Sequence, residues 1–239
     1  MISLIESLLA RFVKPLPDLT IAGLTAIREA DRMWRRDIID PPVGDRTHDD
    51  SRKAIDAMIR SADGLGWDWE LPYAGDSAFE WCGGFAAWCW AKAGLSLHAR
   101  KHFWSSTYRL DRWTRYQQAN DRVKNPKPSA GPYRMIIDLD ERSSFNVRFP
   151  DGTTPRAGDV LMIGPVASGY GKHVTLVESF NTNNGTFGTL EGNGFGLGPK
   201  GDRRQGVVRS FRPVGLNIGQ KPTQYHARRL IRPAPSDLA

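Results

Sequence analysis

Apolar residues follow two rhythms along this chain, a helical one in the first third and an extended one in the last. Between Thr20 and Ile39, the residues Ile21, Leu24, Ile27 and Met33 recur at roughly helical spacing among charges, and Ala54, Ile55, Met58 and Ile59 do so between Ser51 and Ser61. Two amphipathic helices are predicted. Asp40-Pro41-Pro42 should stop the first, because proline lacks an amide hydrogen and restricts the residue before it. A third helix is predicted from about Phe79 to Ala93. It is dense in Trp81, Phe85, Trp88, Cys89 and Trp90, which marks it as the central buried helix, and Gly94 stands where a C-terminal glycine cap belongs.

The stretch from His98 to Thr154 carries weaker signals. It reads as a helix over Ser105 to Asn120, a proline breaker at Asn125-Pro126-Lys127-Pro128, and extended pieces around Tyr133 to Asp138 and Phe145 to Phe149. Beyond Pro155 strands dominate: Asp159 to Ile163, His173 to Ser179, Thr186 to Glu191, Gly206 to Phe211 and Ala227 to Ile231, separated by glycine-rich turns. Helices first and strands second imply an α+β fold, with helices packed on one face of an antiparallel sheet. The alternating glycines Gly192, Gly194, Gly196 and Gly198 have neither a following helix nor a phosphate-gripping lysine, so they read as a flexible loop rather than a nucleotide cradle.

Composition narrows the class. A chain of 239 residues, 40% hydrophobic and 25% charged, is ordinary globular material for one decorated domain. Its 33 Lys and Arg against 26 Asp and Glu give a formal charge of +7, which favours anionic partners without choosing among nucleic acid, lipid headgroups and cell-wall polymer. The opening Met1 to Val13 reads as an amphipathic helix: it carries Glu6 and Arg11 and lacks the basic lead and small-residue cleavage site of a Sec signal. No run of about 18 apolar residues is present, so no membrane span is expected. The only cysteines, Cys82 and Cys89, would stand roughly 10 Å apart on one helix, beyond the reach of a disulfide.

Candidate chemistry centres on Cys82. It falls in the first turn of the third helix, in Trp81-Cys82-Gly83-Gly84-Phe85, where helix-terminal amides stabilise an anion and the glycines leave room for a substrate backbone. A buried structural cysteine is the bland alternative, and Cys89 fits that description on the apolar face. His173 heads a β-branched run in Gly171-Lys172-His173-Val174-Thr175-Leu176-Val177, and Glu191-Gly192-Asn193 ends the next strand. Two adjacent antiparallel strands would bring His173 close to Glu191 or Asn193, which supplies a nucleophile, a base and an orienting group.

Four pieces of this sequence, in order and spacing, resemble the CHAP peptidoglycan hydrolases of the papain-like superfamily. They are Trp81 to Phe85 running on through Ala93-Gly94-Leu95, Pro155-Arg156-Ala157-Gly158-Asp159-Val160-Leu161, Gly171 to Val174, and Leu190-Glu191-Gly192-Asn193, and the resemblance covers roughly Asp76 to Arg212. It implies a papain-like α+β domain over 71–239 in which Cys82 is the nucleophile, His173 the general base and then acid, Glu191 the group that holds the imidazole, and Asn193 a further polar residue at the site. Gly158-Asp159 would be a turn that defines the fold. Residues 1–70 would be a helical N-terminal extension, and about 98–154 an insertion. Neither a metal nor a cofactor is implied. The substrate would be a peptidoglycan amide bond, reached in the envelope without a Sec signal, either by delivery as an interbacterial toxin with a cleft-plugging immunity protein, or by release at lysis as a phage enzyme.

Two other readings compete. One is an amidase of the same fold acting on a soluble peptide-like amide. The other is a basic nucleic-acid-binding module using Phe103, Trp104, Tyr108, Trp113 and Tyr116 among Arg109, Arg112 and Arg115; such a stripe is more often a half-buried helix face, and no nucleic-acid partner is expected. His98 and His102 stand four apart like a metal pair but lack a third ligand at a supporting spacing, so no metal site is expected there.

Overall fold

A computed structural model describes residues 19–40, 47–63, 81–100, 135–138, 149, 154–164, 173–214, 226–233 and 238. Helices α1 (Leu19–Arg35), α2 (Asp49–Asp63) and α3 (Cys82–Lys92) are followed by a short α4 (Leu97–Arg100). Six strands come next: β1 (Met135–Asp138), β2 (Val160–Gly164), β3 (His173–Asn181), β4 (Thr186–Leu197), β5 (Arg203–Pro213) and β6 (His226–Arg232). They form one sheet in the order β1-β6-β2-β3-β4-β5 with every neighbouring pair antiparallel, so the fold is α+β. The amphipathic helix expected at Met1 to Val13, the helix at Ser105 to Asn120 and the aromatic and arginine stripe lie outside the described residues.

The buried side of α1 differs from the stripe expected from its large apolar residues. Ile21 and Leu24 are 64% and 42% exposed, whereas Ala22, Ala26, Ala30 and Met33 face the core. Small side chains let the helix axis come close to its neighbours, so close approach rather than side-chain bulk sets the face. The α2 stripe Ala54, Ile55, Met58 and Ile59 is buried as its periodicity predicts. Asp49 and Asp50 in the first turn of α2 and Arg60 in the last complement its dipole. Helix α3 crosses α2 at Gly84, where an added Cβ would lie 3.4 Å from the Ile59 backbone.

Sheet residues alternate between two apolar clusters. Val160, Met162, Val174, Leu176, Leu190, Val207 and Ile231 join α1, α2 and α3 in one continuous core. Leu161, Ile163, Val177, Phe187, Ala227 and Leu230 form a second cluster on the other side, against which Phe149 and Phe180 pack. Burial on both faces explains why the central strands read as near-continuous apolar runs.

Gly158 tethers α1 to the sheet. Its φ is +90, and an added Cβ would sit 2.4 Å from the Cα of Gly23 in α1, while its carbonyl accepts a 3.0 Å bond from Trp90 Nε1. Asp159 holds the same turn, taking the Arg232 guanidinium at 2.7 Å on both oxygens and the Arg156 amide at 2.8 Å. Gly158→Ala should therefore cost about 2–4 kcal/mol from left-handed strain and overpacking together. A urea denaturation midpoint within error of wild type would contradict this contact.

The alternating glycines are not a flexible loop. Gly192, Gly194 and Gly196 lie within β4, which runs on to Leu197 and pairs with β5. A Cβ at Gly192 would meet Phe85 Cβ at 2.3 Å, and one at Gly196 the Arg209 carbonyl at 2.5 Å. Close packing, rather than mobility, is why these positions lack side chains. The outer edge of β5 is partly covered by the chain leaving α1, where Val207 N bonds Ile38 O at 2.9 Å and Asp40 N bonds Gln205 O at 3.2 Å.

Candidate active site

Cys82 is the first residue of α3. Trp81 at the N-cap makes no side-chain capping bond, and the sulfur-bearing residue is 2% exposed. An uncapped helix start presents its amides to whatever lies in front of it. Gly192 of β4 lies against this turn, because its missing side chain lets the strand backbone come up to Phe85 and the Trp81 ring. Thus the strand carrying Glu191 is seated beside the helix that begins at Cys82.

His173 is the first residue of β3, paired with Ile163 of β2, and its side chain is 12% exposed. Its Nε2 lies 3.1 Å from Oε2 of Glu191, whose side chain is fully buried. Cys82 lies close enough to His173 to raise the pKa of the imidazole. Cys82, His173 and Glu191 thus come together at one place in the fold.

The group has a fourth member. Arg212 on β5 grips Glu191 with both arms of its guanidinium, Nε to Oε1 at 2.7 Å and a terminal nitrogen to Oε2 at 2.6 Å, and the Thr189 hydroxyl donates to Oε1 at 2.7 Å. A buried carboxylate needs such partners to stay ionised. Burial works to raise the Glu191 pKa, but the bonds from His173 and Arg212 outweigh it and hold the carboxyl at about 2. Around His173, burial disfavours the imidazolium, yet the Cys82 sulfur and then Glu191 reverse this and lift its pKa to about 10. The arrangement favours a positive imidazole between two acceptors, the state that pairs with a thiolate and can later protonate a leaving amine.

A pH consequence follows. Because the folded His173 pKa lies above its ordinary 6.5, the imidazolium's contribution is complete below that value and is lost as pH rises through about 10. Glu191→Gln keeps a hydrogen-bonding side chain but removes the charge, and should lower the His173 midpoint by about 1–3 pH units. Titration of the His173 ring by NMR reads this without any substrate, and an unmoved midpoint would contradict the electrostatic role given to Glu191.

Asn193 is placed differently from Glu191. It lies within a bulge that shifts the β4–β5 register between Glu191 and Gly194, has a φ of 54, and its Oδ1 accepts from Gln205 Nε2 at 3.1 Å. Of the two residues expected to orient His173, Glu191 makes the contact. Cys89 is fully buried, and burial pushes its thiol pKa well up, which suits a core residue. His98 and His102 lie outside the side chains described. Arg212 and Thr189 are contributions that the sequence reading missed. The only signal for them was that an acidic residue inside a buried strand requires a cation from a neighbouring strand.

Among the described residues no three His, Cys, Asp or Glu side chains converge as a metal site, and no helix is long and apolar enough to cross a membrane. No family model matches the chain, and neither a curated protein nor a solved structure matches it.

Proposed function

We propose that this chain is a thiol-dependent amidase or endopeptidase of papain-like type that cleaves an amide bond in peptidoglycan. The observation that carries the reading is the grouping of Cys82, His173 and Glu191, with the thiol at an uncapped helix start and the imidazole hydrogen-bonded to Glu191 and raised in pKa by Cys82 beside it. In the proposed reaction the Cys82 thiolate attacks the scissile carbonyl carbon, and the C–S bond forms as charge moves to the carbonyl oxygen. First-turn amides of α3 are the donors available to that oxygen. His173 passes its proton to the amine as the C–N bond breaks, leaving a thioester. Water then attacks, His173 takes its proton, the C–S bond breaks, and the carboxylic product leaves with the thiolate and imidazolium restored. Glu191 positions the ring and stabilises its charge throughout.

Peptidoglycan as the substrate rests on the sequence resemblance and on the basic character of the chain. The same reading makes the protein an enzyme of the cell envelope, delivered as an interbacterial toxin with a cognate immunity protein or released as a phage lytic enzyme. Digestion of purified sacculi by wild type and Cys82→Ala in parallel, with mass analysis of released fragments, tests it. New termini from wild type alone identify the bond; no release from sacculi of several wall types overturns the peptidoglycan assignment.

A further inference from the structure

Among the described residues, the half-buried and buried carboxylates come with cations, except one. Glu29 holds Arg32, Asp31 holds Arg35 and Arg209, Glu178 holds Arg209, Asp159 holds Arg232, and Glu191 holds Arg212. Asp40 holds no cation among the described residues. Its Oδ2 accepts from Gln205 Nε2 at 3.0 Å, and its Oδ1 has only a long 3.4 Å bond from Trp81 Nε1. Both donors are neutral, and burial pushes the Asp40 carboxyl pKa up with no charged group among the described residues to offset it.

Its position makes the exception informative. Trp81 is the residue immediately before Cys82, and the Gln205 amide that serves Asp40 also donates to Asn193, two residues beyond Glu191. Asp40, Gln205 and Asn193 therefore form a polar chain from the indole of the residue before Cys82 to the strand that carries Glu191, and Gln205 at its centre is exposed to solvent. The bulge in β4 is what turns Asn193 towards it.

We infer that Asp40, with Gln205 and Asn193, is a specificity subsite beside Cys82 that takes a substrate ammonium group. The occupant is either a free α-amine or the side-chain amine of a basic residue near the scissile bond. This deepens the amidase reading and rests on it for the word substrate, while the charge preference at Cys82 is measurable without any cleavage. An uncompensated carboxylate costs stability in the free protein and regains its value only when a cation arrives.

The deciding experiment compares the rates at which Cys82 reacts with 2-aminoethyl methanethiosulfonate, which is cationic, and methyl methanethiosulfonate, which is neutral, with the adduct located by mass spectrometry. Asp40→Asn should lower the cationic-to-neutral rate ratio about three- to tenfold. Because the folded protein disfavours the Asp40 carboxylate, its removal relieves a cost at neutral pH, so the variant should melt at the wild-type temperature or above. Asp40→Ser should give the same ratio as Asp40→Asn. An unchanged ratio in both variants overturns the proposal, as does a large fall in melting temperature with an unchanged ratio, which would make Asp40 a structural tie.

A second arm separates the sources of the ammonium and the two levels of inference. A stem pentapeptide containing lysine is offered free, α-N-acetylated or ε-N-acetylated. Loss of cleavage on one acetylation names the amine; equal cleavage of all three overturns the substrate role of Asp40. If no peptide is cut but the labelling ratio still depends on Asp40, the cation-attracting subsite stands and the amidase reading is what fails.

Discussion

Cys82→Ala is expected to lower amide cleavage by a factor of about 10⁴ or more, and adding His173→Ala to it should lower the rate no further. Attack by sulfur and proton transfer by the imidazole are two halves of one event, so once either is gone the other has nothing to act with. The electrostatic coupling of Cys82 to His173, and the hydrogen bond from His173 to Glu191, are the basis for treating them as a unit. His173→Ala alone should fall to nearly the same floor. Release of fragments from sacculi, followed for the two single variants and the double, checks this. A Cys82→Ala rate within tenfold of wild type would remove the thiol from the chemistry, and a double variant slower by the product of the singles would show that the residues act independently. Cys82 contributes little bulk to the core, so an unchanged near-UV circular dichroism spectrum is expected alongside the lost activity.

The second large effect is on stability. Arg212→Leu should destabilise the protein by about 3–5 kcal/mol, because it strands a fully buried carboxylate that now keeps only His173 and Thr189. Linkage sets the pH dependence. Glu191 titrates at about 2 in the folded protein, below its ordinary 4.5, so its ionised form stabilises the fold above that ordinary value and the contribution is lost as pH falls towards 2. In the variant the carboxyl protonates at higher pH, so the gap between variant and wild type is widest near neutrality and narrows on acidification. Glu191→Gln combined with Arg212→Leu removes the stranded charge and should be more stable than Arg212→Leu alone. Urea denaturation of all three proteins at neutral and acid pH reads both effects. Equal losses at every pH would mean that Arg212 supports the fold through packing rather than charge.

Much of this was legible in the linear pattern, and for identifiable reasons. The α2 stripe and the apolar runs of β2, β3 and β6 report burial directly, because side chains that avoid water must recur with the period of the backbone that carries them. Helices preceding strands made the α+β class readable, since each element needs a partner surface for its apolar side. Cys82 and His173 were readable because they head elements, where local sequence says which way a chain is about to turn, and Glu191 because it is an acidic residue in an otherwise uncharged strand.

Three features escaped because they depend on what lies across from a residue. In α1 the buried face is Ala22, Ala26, Ala30 and Met33, and it excludes Ile21 and Leu24, since proximity of Gly23 to Gly158 rewards small side chains over large ones. The glycines from Gly192 to Gly196 looked like a loop but form a strand, because their missing side chains are demanded by Phe85, Trp81 and β5 rather than by a turn. Choosing Glu191 over Asn193, and adding Arg212, required the β4 bulge and the β4–β5 register, which send Asn193 to Gln205 and leave the carboxylate between an imidazole and a guanidinium. The sequence by itself determined the alternation of elements and the residues able to do thiol chemistry, because periodicity and terminal position are local properties. Tertiary structure alone decided which charges meet, because a one-residue change in strand register reverses the face of every side chain and no local pattern records the partner strand's register.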